Sequence, residues 1–376
     1  MVRVVGVQHG LERFYSVIPA GGIGSRLWPL SRADAPKFLH DLTGSGTTLL
    51  RGTFDRLAPL SGPERIMVVT GRAHRAAVEE QLPELEDRNV VLESEPRDSS
   101  AAIGLAAAVL ARREPDVIVG SFAADHVIAD QAGFERAVRQ AVAVADAGYI
   151  ATIGIQPAEA AIGFGYIRVG DELAVDGAPQ ARLVDAFVEK PDAETAERYV
   201  ADGGYLWNGG MFISRADVLL EEMRRSHPQL VAGLEELAAA WDDPATRGPA
   251  VDRIWPALTK IAIDYSVAEP AAAAGRLAVV PGAFDWDDVG DFAAIAKLHG
   301  GGAANLAILG ENARVLADSS SGVVISQTER VISLIGVHDV VVVDTPDALL
   351  VTTSANAQRV KAVVDALKLS GRTEVL

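Results

Sequence analysis

The sequence predicts an α/β protein: a doubly wound, mostly parallel, Rossmann-like sheet, followed by a small β-rich domain and a closing helix. Three observations carry this. Short apolar runs alternate with amphipathic stretches from Phe14 to Ile155, the pattern of parallel strands joined by crossover helices. A glycine-rich turn, Gly21-Gly22-Ile23-Gly24, follows the first apolar run directly. It lies at the carboxyl end of a strand, where open α/β sheets bind their ligands. After His299-Gly300-Gly301-Gly302-Ala303-Ala304 the composition shifts to short β runs that recur about every eight to ten residues.

Taken in order, 14–18 is an apolar strand and 48–57 has helical apolar spacing. The run 65–70 reads as a buried strand bounded by Pro63 and Gly71, 74–81 as a helix and 90–93 as a short strand. The alanine-rich stretch 101–112 is helical, with Ser99 or Ser100 as its N-cap. A strand at 116–122, a helix at 134–147 and a strand at 149–155 complete the alternation, and helices follow at 217–223 and 230–241. Beyond the glycine run, β stretches are expected at 307–309, 313–316, 323–326, 331–335, 340–343 and 348–352, and an amphipathic helix at 355–369. The expected divisions are an extension over 1–13, a large domain over 14–300 and a β-rich domain over 305–376. The β-rich part reads as a packing and oligomerisation element, and no second catalytic domain is expected after residue 304.

A length of 376 residues suffices for one large α/β domain and a smaller second one. The net charge of −17 argues against non-specific binding to nucleic acid or anionic membrane, so neither is an expected partner. It also makes the grouping of Arg26, Arg32 and Lys37 notable, because an acidic protein that binds a polyanion must concentrate its cations. The absence of cysteine excludes disulfides, thiolate metal sites and a cysteine nucleophile. The first residues lack an apolar core of signal-peptide length, and no stretch approaches about 18 uninterrupted apolar residues. A cytoplasmic location is the expectation, with the first residues a loose extension.

The glycine turn is neither a Walker A loop, since no Lys follows Gly24, nor a Rossmann fingerprint, since its glycines are too compressed. Glycines there leave backbone N–H groups free to close around an anion, and Arg26 and Lys37 add two cations. Asp125, after a buried strand, suits a helix cap, a turn or a Mg²⁺ ligand. Tyr166, after Gly163-Phe164-Gly165, could stack on a sugar ring or fill a hairpin core. Glu189-Lys190 at a strand end suits a sugar phosphate, the carboxylate accepting from hydroxyls and the ammonium acting as a point charge; alone, it reads as a surface ion pair. The acids of Asp285, Asp287, Asp288 and Asp291 fail the spacing of a calcium loop. The seven histidines are scattered, none at metal-ligand spacing.

The long string Gly21-Gly22-x-Gly24-x-Arg26-Leu27-Trp28-Pro29-Leu30-Ser31-Arg32 with Pro36-Lys37 resembles the signature of the sugar nucleotidylyltransferases, in the version found in their mannose-1-phosphate guanylyltransferase branch. Arg97-Asp98-Ser99-Ser100-Ala101, Gly163-Phe164-Gly165-Tyr166-Ile167, Phe187-Val188-Glu189-Lys190-Pro191, Trp207-Asn208-Gly209-Gly210, Lys260-Ile261-Ala262-Ile263-Asp264-Tyr265 and Trp286-Asp287-Asp288-Val289-Gly290 are similar to further motifs of that family, so the likeness runs from Phe14 to about Leu369. Ala101 and Ser94 stand where the family often has proline.

The resemblance implies a nucleotidyltransferase fold with a short left-handed β-helix at the C-terminal end. It implies transfer of GMP from GTP to α-mannose 1-phosphate, giving GDP-mannose and pyrophosphate, with Mg²⁺ as cofactor and a homodimer as the assembly. It assigns catalysis to Arg26, Lys37, Lys190 and Asp125; nucleotide contacts to Ala20, Gly21, Gly22, Gly24, Ser25, Arg26, Arg97, Asp98 and Ser99; sugar-phosphate contacts to Gly165, Glu189, Lys190 and Asn208; and metal to Asp125 and Asp288, with Asp287 able to orient a metal-bound water. The 260–265 stretch is implied as support around the sugar pocket. From the residues alone, the Ser99-Ser100 pair reads as a helix cap rather than a base contact. The same chemistry on another sugar 1-phosphate and nucleotide, a non-catalytic nucleotide-sugar sensor, and a nicotinamide dehydrogenase are the rivals. The last lacks the glycine spacing.

Overall fold

The computed structural model describes residues 10–302, 304–311 and 313–376. These fall into two compact units. The first holds the chain up to Gly21, Thr53–Ala124 and Ile128–Trp286; the second holds Gly22–Gly52, Asp125–Val127 and Asp287–Leu376.

The first unit is built on a nine-stranded sheet. Its strands are β1 (Phe14–Ala20), β2 (Ile66–Gly71), β3 (Val90–Glu93), β4 (Ile118–Ser121), β5 (Ile150–Ile155), β6 (Tyr166–Glu172), β7 (Arg182–Val188), β8 (Tyr205–Arg215) and β9 (Leu277–Gly282). They lie in the order β3-β2-β1-β4-β8-β5-β9-β7-β6. The expected α/β class is what forms. The β3-β2-β1-β4 half is parallel, as is β5 with β9. Strand β8 runs against both β4 and β5, and β7 and β6 form an antiparallel pair at the far edge. The parallel strands β1, β2, β4, β5 and β9 are almost wholly buried along their length, as continuous apolar runs under helices on both faces must be.

Helices Asp98–Arg113 and Gln131–Asp146 cover this sheet in different ways. The first is buried along its length from Ser100 to Leu110 because alanine and glycine let it approach closely. The second buries one stripe, Phe134, Ala137, Val138, Ala141, Val142 and Ala145, and exposes the other. Trp241 and Trp255 are fully buried in the same apolar cluster.

Residues 10–13, expected as part of a loose extension, are packed: Gly10 is buried and Arg13 Nη2 donates to Asp146 Oδ1 at 2.8 Å. The rest of that extension lies outside the described residues, as does Ala303 of the glycine run.

The second unit contains six short strands, each within a residue or two of its expected place: β10 (Leu306–Leu309), β11 (Arg314–Asp318), β12 (Gly322–Ser326), β13 (Val331–Ile335), β14 (Val340–Asp344) and β15 (Leu349–Thr353). They wind alternately into two small sheets, β10-β12-β14-β15 and β11-β13. All neighbours are parallel except β14 with β15, which is the coil of a short β-helix. The helix Val360–Leu369 closes it.

The compact units do not follow the division expected at residue 300. Leu27, Trp28, Leu30, Leu42 and Leu49 share one apolar cluster with Val289, Phe292, Val323, Ile325, Val341, Val343 and Val360. The glycine-loop segment therefore belongs, by packing, with the C-terminal strands. Phe292 is fully buried there, so Phe292→Ala is expected to lower stability by about 3–5 kcal/mol, read as a lower urea midpoint.

Candidate active site

In the second unit the site is assembled around one ammonium. Lys37 is 5% exposed. Its Nζ donates to Asp125 Oδ2 at 2.7 Å and to the carbonyl of Asp288. Its backbone N–H donates to the Ile23 carbonyl at 3.1 Å, which closes the turn between Gly22 and Lys37. Gly24 has φ +75°, and a Cβ there would stand 2.6 Å from Lys37 Cβ; only glycine fits. Ser25 opens a short 3₁₀ turn that presents Arg26 outward and buries Leu27. Arg26 is exposed, with no hydrogen-bond or ion-pair partner among the described residues, so its guanidinium is free for an anion.

The carboxylates respond to this setting in opposite ways. Burial pushes the Asp125 carboxyl up, but the Lys37 ammonium, the neighbouring His126 and hydrogen bonds outweigh it, and the group ends below its ordinary value. Burial raises Asp288, and Asp287 and Asp125 raise it further against the pull of Lys37 and Arg26.

In the first unit a second set of groups lines the carboxyl ends of the strands and the turns after them. Asn208 on β8 is buried, its Oδ1 accepting from Thr152 at 3.0 Å and its Nδ2 donating to Asp264 Oδ1 at 3.0 Å. Lys190 Nζ pairs with Glu189, whose carboxylate side chain is nearly buried while the lysine is exposed. Glu189 Oε2 lies 2.5 Å from where a Cβ on Gly165 would stand, so Gly165 gives the carboxylate its room. Burial and the Glu189 charge push the Asp264 carboxyl up to about 6. Across the parallel half, Ala20 ends β1 and is held by Thr70 Oγ1 donating to its carbonyl at 2.7 Å. Glu93 ends β3, 7% exposed, its Oε2 3.6 Å from where a Gly21 Cβ would stand. Burial, with Asp98 adding repulsion, pushes its carboxyl up to about 7.

One expectation is corrected, and the settings of Tyr166 and Arg97 are fixed. Ser99 and Ser100 do not cap their helix, which begins at Asp98 with no side-chain cap. Ser99 Oγ accepts from the Ile263 N–H at 2.9 Å and Ser100 Oγ bonds Ser266 Oγ at 2.7 Å, so the pair fastens the helix start to the 261–266 segment. Tyr166 is fully buried with its Oη donating to the Ala161 carbonyl at 2.9 Å, a core residue rather than a sugar platform. The Arg97 guanidinium is engaged by Glu95 and the carbonyls of Pro256 and Leu258, while Asp98 beside it is exposed. Phe164, from the same loop as Gly165, packs edge-on to Trp207 and Trp286 at 5.1 Å each.

A nucleotidyl transferase family model matches residues 15–301, and a model of the mannose-phosphate isomerase/GMP-like β-helix domain matches 313–367. The chain belongs to the nucleotidyl transferase family, among the mannose-1-phosphate guanylyltransferases. It is 37% identical over 367 residues to the mannose-1-phosphate guanylyltransferase of Escherichia coli K12, covering 96% of this chain and 75% of the relative. The ManC mannose-1-phosphate guanylyltransferase of Salmonella typhimurium LT2 is equally similar, with 37% identity over 96% of this chain and 75% of its own. A crystal structure described as a mannose-1-phosphate geranyltransferase from Thermus thermophilus superposes with a TM-score of 0.83 at 32% identity, covering 95% of this chain and 99% of its own.

Against this family the motif residues fall into the two sets described, and two further residues emerge. Glu93 carried no signal beyond its place at a strand end. Asp264 stood in a motif, but its bond to Asn208 depends on segments far apart in sequence.

Glu93 also makes a pH prediction. Folded, it holds its proton to about pH 7; its ordinary value is 4.5. The folded state is therefore favoured below the unfolded value, and that contribution is lost as pH rises through about 7. Glu93→Gln is expected to match the unmodified chain at pH 5 and to exceed its stability by about 3 kcal/mol at pH 8, by urea denaturation at the two pH values.

Proposed function

We propose that the chain transfers GMP from GTP to α-D-mannose 1-phosphate, giving GDP-mannose and pyrophosphate, by direct in-line attack without a covalent intermediate. The observation that carries this reading is the buried Lys37 ammonium held between Asp125 and the Asp288 turn, beside a glycine loop that leaves Arg26 free, in a chain of this family.

A phosphate oxygen of mannose 1-phosphate forms a new bond to the α-phosphorus of GTP while the bond to the bridging oxygen breaks and pyrophosphate leaves. The protein supplies position and charge. Ala20, Gly21, Gly22, Gly24 and Ser25 present backbone to the triphosphate, and Arg26 neutralises charge that grows on the departing β,γ-phosphates. Lys37 stabilises the phosphates near the reacting centre. Lys190, exposed and beside Glu189, holds the sugar phosphate, with Glu189 and Asn208 on sugar hydroxyls and Gly165 leaving room. Asp98, Ser99 and Arg97 belong to the turn on the base side, Arg97 and Ser99 as supports for it.

Mg²⁺ fits Asp125 and Asp288. The Asp288 carboxyl is raised in part by repulsion from Asp287 and Asp125, an excess of negative charge that a divalent cation relieves. No group of three or more His, Cys, Asp or Glu among the described residues forms a closed metal cage, and Mg²⁺ favours one or two carboxylates shared with phosphate oxygens. When bound, the ion supplies charge neutralisation at the reacting phosphates. A cytoplasmic homodimer is part of the same reading. No helix among the described residues is long and apolar enough to cross a membrane, and Leu316, Val331 and Ile335 are exposed on β11 and β13. Light scattering on a sizing column tests the dimer.

Pyrophosphate release with Mg²⁺, crossing GTP, ATP, UTP and dTTP against mannose, glucose and heptose 1-phosphates, is expected to favour GTP with mannose 1-phosphate. Another productive pair would move the specificity and keep the mechanism; none, in a folded protein that binds nucleotide, leaves a sensor. Arg26→Ala, Lys37→Met and Asp125→Asn are each expected to lower kcat by about 10²-fold or more. Near-normal turnover in any of them rejects the role given to that residue.

A further inference from the structure

The signature string does more than meet phosphate. Of Leu27-Trp28-Pro29-Leu30-Ser31-Arg32, the side chains of Leu27, Trp28 and Leu30 are turned into the apolar cluster that the C-terminal strands also fill. Trp28 Nε1 donates to the Val375 carbonyl at 2.6 Å. Arg32 Nη2 donates to Asp347 Oδ1 at 2.7 Å and Thr345 Oγ1 at 3.3 Å, in the turn between β14 and β15. Its Nε donates to the Pro29 carbonyl at 2.7 Å, and its guanidinium lies 5.8 Å from the Trp28 ring centre. The one side-chain N–H of Trp28 is thereby used, and Arg32 commits Nε and Nη2 to these contacts.

The Asp288 turn is held by the same strands. Val289 has φ +43°, a conformation that costs a β-branched residue of order 1–3 kcal/mol and persists only where packing imposes it. The packing is present: Val289 is fully buried in the cluster with Val323, Val341 and Leu350, and its N–H donates to Asp287 Oδ1 at 2.7 Å. Two residues on, Asp291 caps the helix Phe292–Leu298 through the N–H groups of Ala293 and Ala294, and Gln358 Nε2 donates to its other oxygen.

We propose that the C-terminal β-helix is a positioning part of the phosphate site: through Trp28, Arg32 and Val289 it fixes the two segments that carry Arg26, Lys37 and Asp288. The segment from Gly22 to Lys37 and the turn at Asp288 meet at the Lys37 ammonium, and each is anchored behind that contact to the same small domain. Trp28, Arg32 and Val289 touch no reacting atom and act through the residues they hold. This rests on the guanylyltransferase reading for its kinetic consequence, though not for its structural one.

The test compares the full chain with the double variant Trp28→Phe/Asp347→Ala and, separately, with Val289→Gly, which accepts φ +43° but gives up the packed side chain. Melting temperature, hydrogen–deuterium exchange and steady-state kinetics with GTP, mannose 1-phosphate and Mg²⁺ are measured on each. The expected result is faster exchange confined to residues 22–37 and 287–291, with β1 to β4 unchanged and the melting temperature within a few degrees. With it, kcat falls about tenfold while KM for mannose 1-phosphate moves less than about threefold, because the sugar-side residues are untouched. Exchange and kcat both unchanged in both variants overturn the proposal. So does a fall in kcat with exchange raised throughout the chain, which marks loss of stability alone. If the unmodified chain releases no pyrophosphate, the functional reading fails while the exchange pattern still decides whether the β-helix holds the two segments.

Discussion

The buried ammonium of Lys37 ties the glycine loop, Asp125 and the Asp288 turn of the second unit together. A charged amine at 5% exposure is tolerated only when paired and hydrogen-bonded, since an unpaired one would shift its pKa and lose its charge. Here it has a carboxylate, Asp125, and a carbonyl, that of Asp288. Those two partners come from segments more than a hundred residues apart in sequence, so the position of each depends on the lysine. The dependence extends backwards: Gly24 must be glycine to let the lysine stem pass, and the Ile23 carbonyl must face the Lys37 N–H. Loop, lysine, Asp125 and the Asp288 turn form one interdependent set.

Charge is distributed differently in the two units. Around Lys37 the cation helps hold the Asp125 carboxyl below its ordinary value, while burial and repulsion from Asp287 and Asp125 raise Asp288. In the first unit, the buried Glu93 and the half-buried Asp264 lie near other acids and their carboxyls rise to about 7 and about 6. Near neutrality these are groups on the edge of holding a proton, able to donate or accept. Asn208 joins Asp264 to Thr152 through both ends of its amide, so its orientation is determined by its partners. The cost of burying such acids is offset where a ligand brings hydrogen-bond donors to them.

Much of this was legible in the sequence, and the limits have physical causes. The strands β10 to β15 announced themselves through turn residues at short intervals, and the parallel strands through apolar runs, because both signals are local. Lys37, Asp125, Asp288 and Asn208 stood in strings long enough to mark them. The role of Ser99 and Ser100 was not legible: hydroxyls before an alanine-rich helix look like caps, and only the tertiary approach of Ile263 and Ser266 shows that they bond across elements. Arg97 likewise donates to carbonyls that no local pattern brings to it. The boundary near residue 300 follows composition, whereas packing assigns Leu27, Trp28 and Leu30 to the C-terminal strands, a long-range choice that composition cannot carry.

Backbone strain follows the same division. Among the described residues, the non-glycine positions with φ well above zero are Asp98, Asp116, Lys190, Val289, Ser319 and Asp339. Aspartate and serine can take this conformation with local side-chain bonds to compensate, and Asp116, Ser319 and Asp339 lie in turns away from the candidate site residues. Lysine and valine have no such compensation. Lys190 is one of the residues that would hold the sugar phosphate, Val289 follows the candidate metal ligand, and Asp98 begins the helix beside the buried Glu93. A chain selected for stability alone would relax Lys190 and Val289 or replace them with glycine. That it keeps a flexible cation and a β-branched residue in costly geometry argues that what is maintained at these two turns is the direction in which Lys190 and Asp288 point.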